Sequence, residues 1–303
     1  MTDWHRQFLG WTAVGLSALA ACFWAFWGII ENFHEGWYYR SLWANLGLML
    51  SQYLSFMLLF VGAALVALRW PRVGGSLHVA AAAAAVWFLF GASPLVADPF
   101  IVGPLAFMGV AYWFGRPRPR RWAVVVVVAL PLITLVVSGA EPAYRVSGRL
   151  DDGDLSARRI ADDGVDLIWA PQGPGWPDNG VTWEEARQRC RHLTENGTHL
   201  ADTPQDVWRL PTAEEAVRSM RCHGESCGGS WDASRARATY RRTPDKESPL
   251  WDVHSQVIYW WTATEVNDRE AFIIVYDGRV WPRPKQAHWG YLGFRAVKER
   301  EQN

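Results

Sequence analysis

Toward the C-terminus, Trp281, Arg283, Lys285, His288, Trp289 and Tyr291 crowd around two prolines. Aromatic faces beside cationic groups suit a sugar ring, a carboxylate or a protein hot spot, because each pairs a broad apolar surface with directional donors. A second grouping, Glu31, His34 and Glu35, falls at i, i+3 and i+4. A helix would put these three on one face, with ligand types that suit a divalent metal. Three ligands without a fourth make an incomplete site, and an aromatic-rich turn at a membrane interface accounts for the same residues. Cys222, His223 and Cys227, with Cys190, supply zinc ligand types, but CHGESC lacks the spacing of a zinc knuckle. Neither a GxSxG elbow, a phosphate-binding loop, a dinucleotide fingerprint nor an HExxH motif is present.

These groups are positioned by elements on either side of a sharp divide. Arginines at 116, 118, 120 and 121 stand directly before an uncharged run over 122–139. That run has the length and composition of a helix crossing a hydrocarbon core. A buried strand pair broken at Pro131 is the alternative for a valine-rich run. Further apolar stretches precede it, and lipid forces the backbone to satisfy itself as helix. Five spans are predicted, at 8–30, 42–68, 77–96, 100–115 and 122–138; only 93–99 separates the third and fourth, which also fit a re-entrant hairpin. Arg6, Arg69, Arg72 and the arginine cluster then fall on one side, while Glu31, Glu35 and Asp98 fall on the other with Arg40 as the one strong base. The positive-inside rule puts the N-terminus in the cytoplasm and everything after the last span outside. His78 and Asp98 lie near predicted span ends, so the sequence marks no proton or ion path. The apolar run at 8–30 is too long for a cleaved signal and reads as a retained first span. With 303 residues, 50% hydrophobic content and zero formal net charge, the chain has room for two domains and no general attraction to nucleic acid.

The organisation predicted is a membrane domain over 1–140, a polar linker over 141–164, a water-soluble domain over 165–298 and a short tail over 299–303. The soluble domain opens with a strand at 165–170, halted by PQGPGWPDNG. Thr182 with Glu185 and Thr212 with Glu215 form two capping boxes, each opening a short helix. Trp183, Ala186, Cys190 and Leu193 give the first helix an apolar face; Ala213, Ala216, Val217 and Met220 give the second its own. Strands are expected at 257–264, 271–276, 279–282 and 293–298, with Asp277 and Gly278 as a type I′ hairpin turn. An irregular insert is expected over 221–256. The fold class is therefore an α-helical transmembrane bundle followed by an α+β domain, two short helices on a small antiparallel sheet.

WEEARQRC, WRLPTAEEA, YWWTAT, AFIIVYDGRV and GFRAV, in this order, resemble the bacterial domain family that forms the C-terminal domain of collagen-like adhesins. That family is similar to the sulfatase-modifying, formylglycine-generating superfamily, so the resemblance implies a C-type lectin-like fold over 165–298. The family often carries a cysteine in its closing strand, where this chain has Ala296; Cys190 is then either free or paired with Cys222 or Cys227. One disulfide among Cys190, Cys222 and Cys227 beside one buried thiol is expected in an oxidising compartment. GGSW at 228–231 is similar to a segment of the formylglycine-generating enzymes, but the late cysteine pair those enzymes use is absent, so no catalytic residue carries over.

The sequence thus predicts a multi-pass plasma-membrane protein that displays an extracytoplasmic recognition or adhesion domain, non-enzymatic and calling for no cofactor. Its partners would be the bilayer, an envelope glycan or protein, and another membrane protein. The alternatives are an envelope enzyme related to the formylglycine-generating oxidases, needing a reactive thiol pair or metal, and a transporter or channel subunit.

Overall fold

The computed structural model describes residues 1–89, 102–246 and 250–300 and divides into two compact units, one of Met1–Trp37 and Ser41–Tyr144, the other of Tyr38–Arg40 and Arg145–Asn303. The first unit is helical. It holds α1 (Asp3–His34), α2 (Leu42–Leu48), a π-helical turn (Met49–Tyr53), α3 (Ser55–Arg69), α4 (Pro71–Leu89) and α5 (Gly103–Phe114). It also takes most of α6 (Arg120–Ser147). Along α1 the buried positions include Gly10, Ala13, Val14, Ser17, Ala18, Ala21, Ala25 and Gly28. This is a stripe of small residues at helical spacing that lets neighbouring helices approach closely. Large apolar side chains face away from the bundle, among them Leu19, Phe23, Trp27 and Trp87, and Ile133, Val136 and Val137 on α6. Such faces are costly in water and ordinary in lipid.

Among the described residues, two helices, α1 and α6, are long and apolar enough to cross a membrane. A third span is reached if α2 to α3, bent by 63° at its break, counts as one. Five were expected. The expected fourth span corresponds to α5, which at 12 residues is short for a crossing, and 90–101, where the third ends and Asp98 lies, fall outside the described residues. His78, expected at a span end, is instead buried inside α4, its Nδ1 2.8 Å from the Gly74 carbonyl and its ring 5.3 Å from that of Tyr112. Pro131 does not break the valine run into strands, since α6 continues through it.

The second unit is rich in β structure. A three-stranded sheet has the order β1 (Arg158–Asp162), β2 (Val165–Trp169), β11 (Val297–Glu299), all antiparallel. A four-stranded sheet runs β10 (Leu292–Gly293), β7 (Tyr259–Glu265), β8 (Glu270–Val275), β9 (Val280–Pro284), with β10 parallel to β7 and the rest antiparallel. The insert expected to be irregular contains two small hairpins, β3 (Arg221–Cys222) with β4 (Glu225–Ser226), and β5 (Ser230–Asp232) with β6 (Arg237–Thr239). Strand β1 lies in the expected linker. It is reached by a tight turn in which Asp163 (φ 48°) and Gly164 (φ 83°) both take positive φ, the requirement of a type I′ hairpin. The expected type I′ turn at Asp277 and Gly278 takes another form. Only Gly278 has positive φ, at 83°, and its N–H donates to Val275 while Val275 N–H donates to Arg279, so the glycine forms a bulge after the turn.

Helices α7 (Trp183–His192) and α8 (Ala213–Arg218) both begin at complete capping boxes, on Thr182 with Glu185 and Thr212 with Glu215. Every residue expected on their apolar faces is buried, from Trp183 to Leu193 and from Ala213 to Met220. They close over a tryptophan-rich core in which Trp251 and Trp260 stack at 3.4 Å. Glu215 also accepts two bonds from Arg209 at 2.7 Å, and Arg209 reaches Glu299 of β11 at 3.2 Å. Thr212→Ala removes the cap and frees the glutamate, so urea unfolding of the chain should show a loss of about 1 kcal/mol. An unchanged midpoint would mean that Arg209 alone holds the helix start.

Candidate ligand-binding face of the β-rich unit

Strand β9 is an edge, and its two prolines, Pro282 and Pro284, lie at exposed alternate positions where they present no N–H for a further strand. The other alternate positions carry Trp281 and Arg283, with Arg279 just before them in the same phase. Arg279 lies over the Trp281 ring at 4.9 Å. Arg283 lies 5.3 Å from the Trp281 ring and 5.6 Å from that of Trp289, so one guanidinium spans two indoles. Tyr259 joins the other side, 6.1 Å from Trp281 and 5.3 Å from Tyr291, and Tyr291 lies 5.8 Å from Trp289. The result is a closed circuit of Trp281, Tyr259, Tyr291, Trp289 and Arg283.

The loop carrying Trp289 is fixed by backbone bonds. Leu292 N–H donates to the Trp289 carbonyl at 2.9 Å, Val181 to Leu292 at 3.0 Å and Trp183 to Lys285 at 3.0 Å. Gly180 makes this docking feasible, since a Cβ there would sit 1.9 Å from the Trp289 carbonyl oxygen. Trp289 is 45% exposed while Trp281 leans on the core, so the circuit is anchored at one end and open to solvent at the other. Of the two arginines, Arg279 is bound to Asp277 at 2.6 Å. Burial works against its charge, but the Asp277 carboxylate outweighs it and holds the guanidinium above its ordinary pKa. Among the described residues, no carboxylate reaches Arg283, which donates to the Pro282 carbonyl at 3.3 Å.

Four of the six expected residues, Trp281, Arg283, Trp289 and Tyr291, therefore meet. Lys285 does not join them: its ammonium pairs with Glu265 and lies 4.5 Å from the Trp183 ring. His288 is exposed, its Nδ1 3.2 Å from the Gln286 carbonyl, outside the circuit. Tyr259 and Arg279 were missed; the period-2 phase of 279, 281 and 283 was the available signal for the second. A shallow hollow of about 560 Å³ at the β7–β8 turn, lined by Asn267, Asp268, Arg269, Glu270 and Pro284, is separate from the circuit.

The other candidate chemistries find different surroundings. Among the described residues, no group of three or more His, Cys, Asp or Glu side chains gathers as a metal site. Glu31, His34 and Glu35 lie at the end of α1 as its last turn and cap. His223 (φ 51°) and Gly224 (φ 80°) are the turn of the β3–β4 hairpin, which explains why CHGESC lacks knuckle spacing. No disulfide joins Cys190, Cys222 and Cys227 among the described residues. Burial pushes the Cys190 thiol far up, which leaves it inert as a nucleophile. Lys246 is buried as well: it is 1% exposed and its ammonium donates to the Ser255 carbonyl. Burial first, then the Arg149 charge, pushes it down to about 7, with Asp252 and Asp245 opposing.

Comparison with known proteins found no matching family model, no matching curated protein and no matching solved structure.

Proposed function

We propose that the β-rich unit is a ligand-recognition domain displayed outside the cell by a multi-pass helical anchor, and that it acts by binding and not by catalysis. The observation that carries this reading is Arg283, a guanidinium without a carboxylate partner, held between the faces of Trp281 and Trp289. Planar cations fixed between indoles are prepared to take a carboxylate in two parallel bonds while the aromatic faces cover the adjoining apolar surface. The ligand class is an envelope glycan bearing a carboxylate or an acidic protein segment. In this reading the unit has a C-type lectin-like fold related to the C-terminal domains of collagen-like adhesins. Support comes from the pairing of an early strand, β2, with the late strand β11, and from two short helices packed on the sheets. The apolar outer faces of α1 and α6 support membrane placement, and the arginines near the starts of α1, α4 and α6 support a cytoplasmic N-terminus.

The test is titration of the purified chain against an array of acidic and neutral envelope glycans, followed by Arg283→Gln and Trp289→Ala. Each variant should weaken the best binder by about thirtyfold, the scale of a hot-spot truncation near 2 kcal/mol. Full affinity in Arg283→Gln would remove the basis of the reading. Protease added to spheroplasts should cut the β-rich unit from outside; protection would overturn the topology.

A further inference from the structure

The helical unit carries a second concentration of charge. The segment joining α5 to α6 bears Arg116 and Arg118 and runs into Arg120 and Arg121. It is folded onto the start of α1: Arg116 N–H donates to the Arg6 carbonyl at 2.7 Å and the Trp11 indole N–H to the Arg118 carbonyl at 3.2 Å. Gly10 admits it, because a Cβ there would lie 2.4 Å from the Pro117 nitrogen. Held in this way, Arg116, Arg118 and Arg120 line a cavity of about 190 Å³ whose apolar wall includes Leu68 and Pro71.

These cations lie together without acid. Burial, and after it the charges of Arg6 and Arg72, hold the Arg116 guanidinium below its ordinary pKa, and its donors go to the carbonyls of Tyr112, Trp113 and Gly115. Among the described residues, no ion pair ties a carboxylate to Arg6, Arg72, Arg118 or Arg120, and Asp3 in the first turn of α1 is no exception. The first turns of α4 and α6, at this same cavity, contain arginine and no acid, although a helix start already carries partial positive charge. Such an arrangement repels itself until an anion enters. Exposed Trp70, Phe114 and Trp122 on the neighbouring helix ends are residues that favour the boundary between lipid and water.

We propose that this cavity binds the phosphate of an anionic phospholipid, with the acyl chains descending along the apolar helix faces. The guanidiniums supply paired donors to the phosphate oxygens, and Leu68 and Pro71 meet the start of the chains. The inference rests on the membrane placement proposed above and is independent of the ligand at Arg283.

The experiment uses the whole chain in nanodiscs of phosphatidylcholine with graded phosphatidylglycerol, counting lipid retained on release by native mass spectrometry. Arg118→Gln with Arg120→Gln should lower phosphatidylglycerol retention by about fivefold for each arginine removed. Arg118→Gln alone should show a single such step and guards against misfolding of the double variant. Arg121→Gln, which does not line the cavity and whose guanidinium lies over Trp122 at 6.0 Å, should lose clearly less than Arg118→Gln. Equal losses in Arg121→Gln would reduce the effect to general surface charge and overturn the proposal. Displacement of lipid by inorganic phosphate at equal concentration would identify a soluble anion instead and also overturn it. Carbonate washing separates the two levels: a chain extracted from vesicles defeats the membrane placement, whereas one that stays but retains no phosphatidylglycerol defeats the cavity alone.

Discussion

Arg295→Lys is expected to destabilise the β-rich unit by about 3 kcal/mol or more, because each buried carbonyl left without a donor costs about 1–3 kcal/mol. Arg295 is fully buried and donates to the Ala170 carbonyl at 2.8 Å, to Leu250 at 2.6 Å and to Ser156 at 3.4 Å. Its guanidinium also lies 3.7 Å from the Trp176 ring. A planar fork reaches acceptors in several directions at once while stacking on an indole; an ammonium is a single point. Burial presses the Arg295 pKa well below its ordinary value, with Arg158 adding to this and Asp154 opposing it. Domains of this size are stable by about 5–15 kcal/mol, so the loss would be a large fraction of the whole. Urea unfolding of the purified chain measures it, and a loss under about 1 kcal/mol would show that other donors reach those carbonyls.

Lys246→Met should do the opposite, and only over part of the pH range. The lysine has a folded pKa of about 7 against an ordinary 10.5, because burial penalises its charged form. Between about 7 and 10.5 the unfolded chain holds the proton and the folded chain releases it, so this group's contribution to stability rises with pH across that window. Below about 7 both states are protonated and the penalty is constant at roughly 5 kcal/mol, from about 1.4 kcal/mol for each unit of displacement. Methionine removes the ammonium and its bond to Ser255, which returns about 1 kcal/mol of that gain. Thermal unfolding at pH 6 should therefore rise by several degrees in the variant, and the difference should vanish near pH 10. A gain that is the same at both pH values would mean that packing, not charge, is responsible.

Much of the β-rich unit was legible because its signals are local. A capping box is complete within four residues, so Thr182 and Thr212 could be read directly, and the apolar faces after them followed from helical spacing. Turn chemistry was less decisive. Asp163 with Gly164 and Asp277 with Gly278 are the same dipeptide, yet only the first forms a two-residue loop between paired neighbours. Which form an Asp-Gly pair takes depends on the strand register on either side, and register is a tertiary property. Strand β1 was hidden for a related reason: RRIAD has little apolar content and becomes a strand only by pairing with β2.

At the candidate site the residue types pointed to the right stretch, but composition could not separate Lys285 from Arg283. Glu265, which draws Lys285 away, lies on another strand, so the distinction required the pairing of β7, β8 and β9. In the helical unit, hydropathy marked the apolar runs but not their breaks. The 63° bend between α2 and α3 follows Ser51, Gln52 and Tyr53, a polar interruption too short to end the apolar run over 42–68.

The position of β2 between β1 and β11 also has a consequence for how the protein is made. Trp169 and Val297 are paired in the middle of that sheet although they stand at opposite ends of the unit's sequence. Contacts so distant along the chain form slowly, after local helices and hairpins. During synthesis the ribosome must therefore reach Val297 before this sheet can close. A nascent chain halted just short of Val297 would already hold its capped helices, yet expose the edge of β2 that β11 covers to any nearby protease or chaperone.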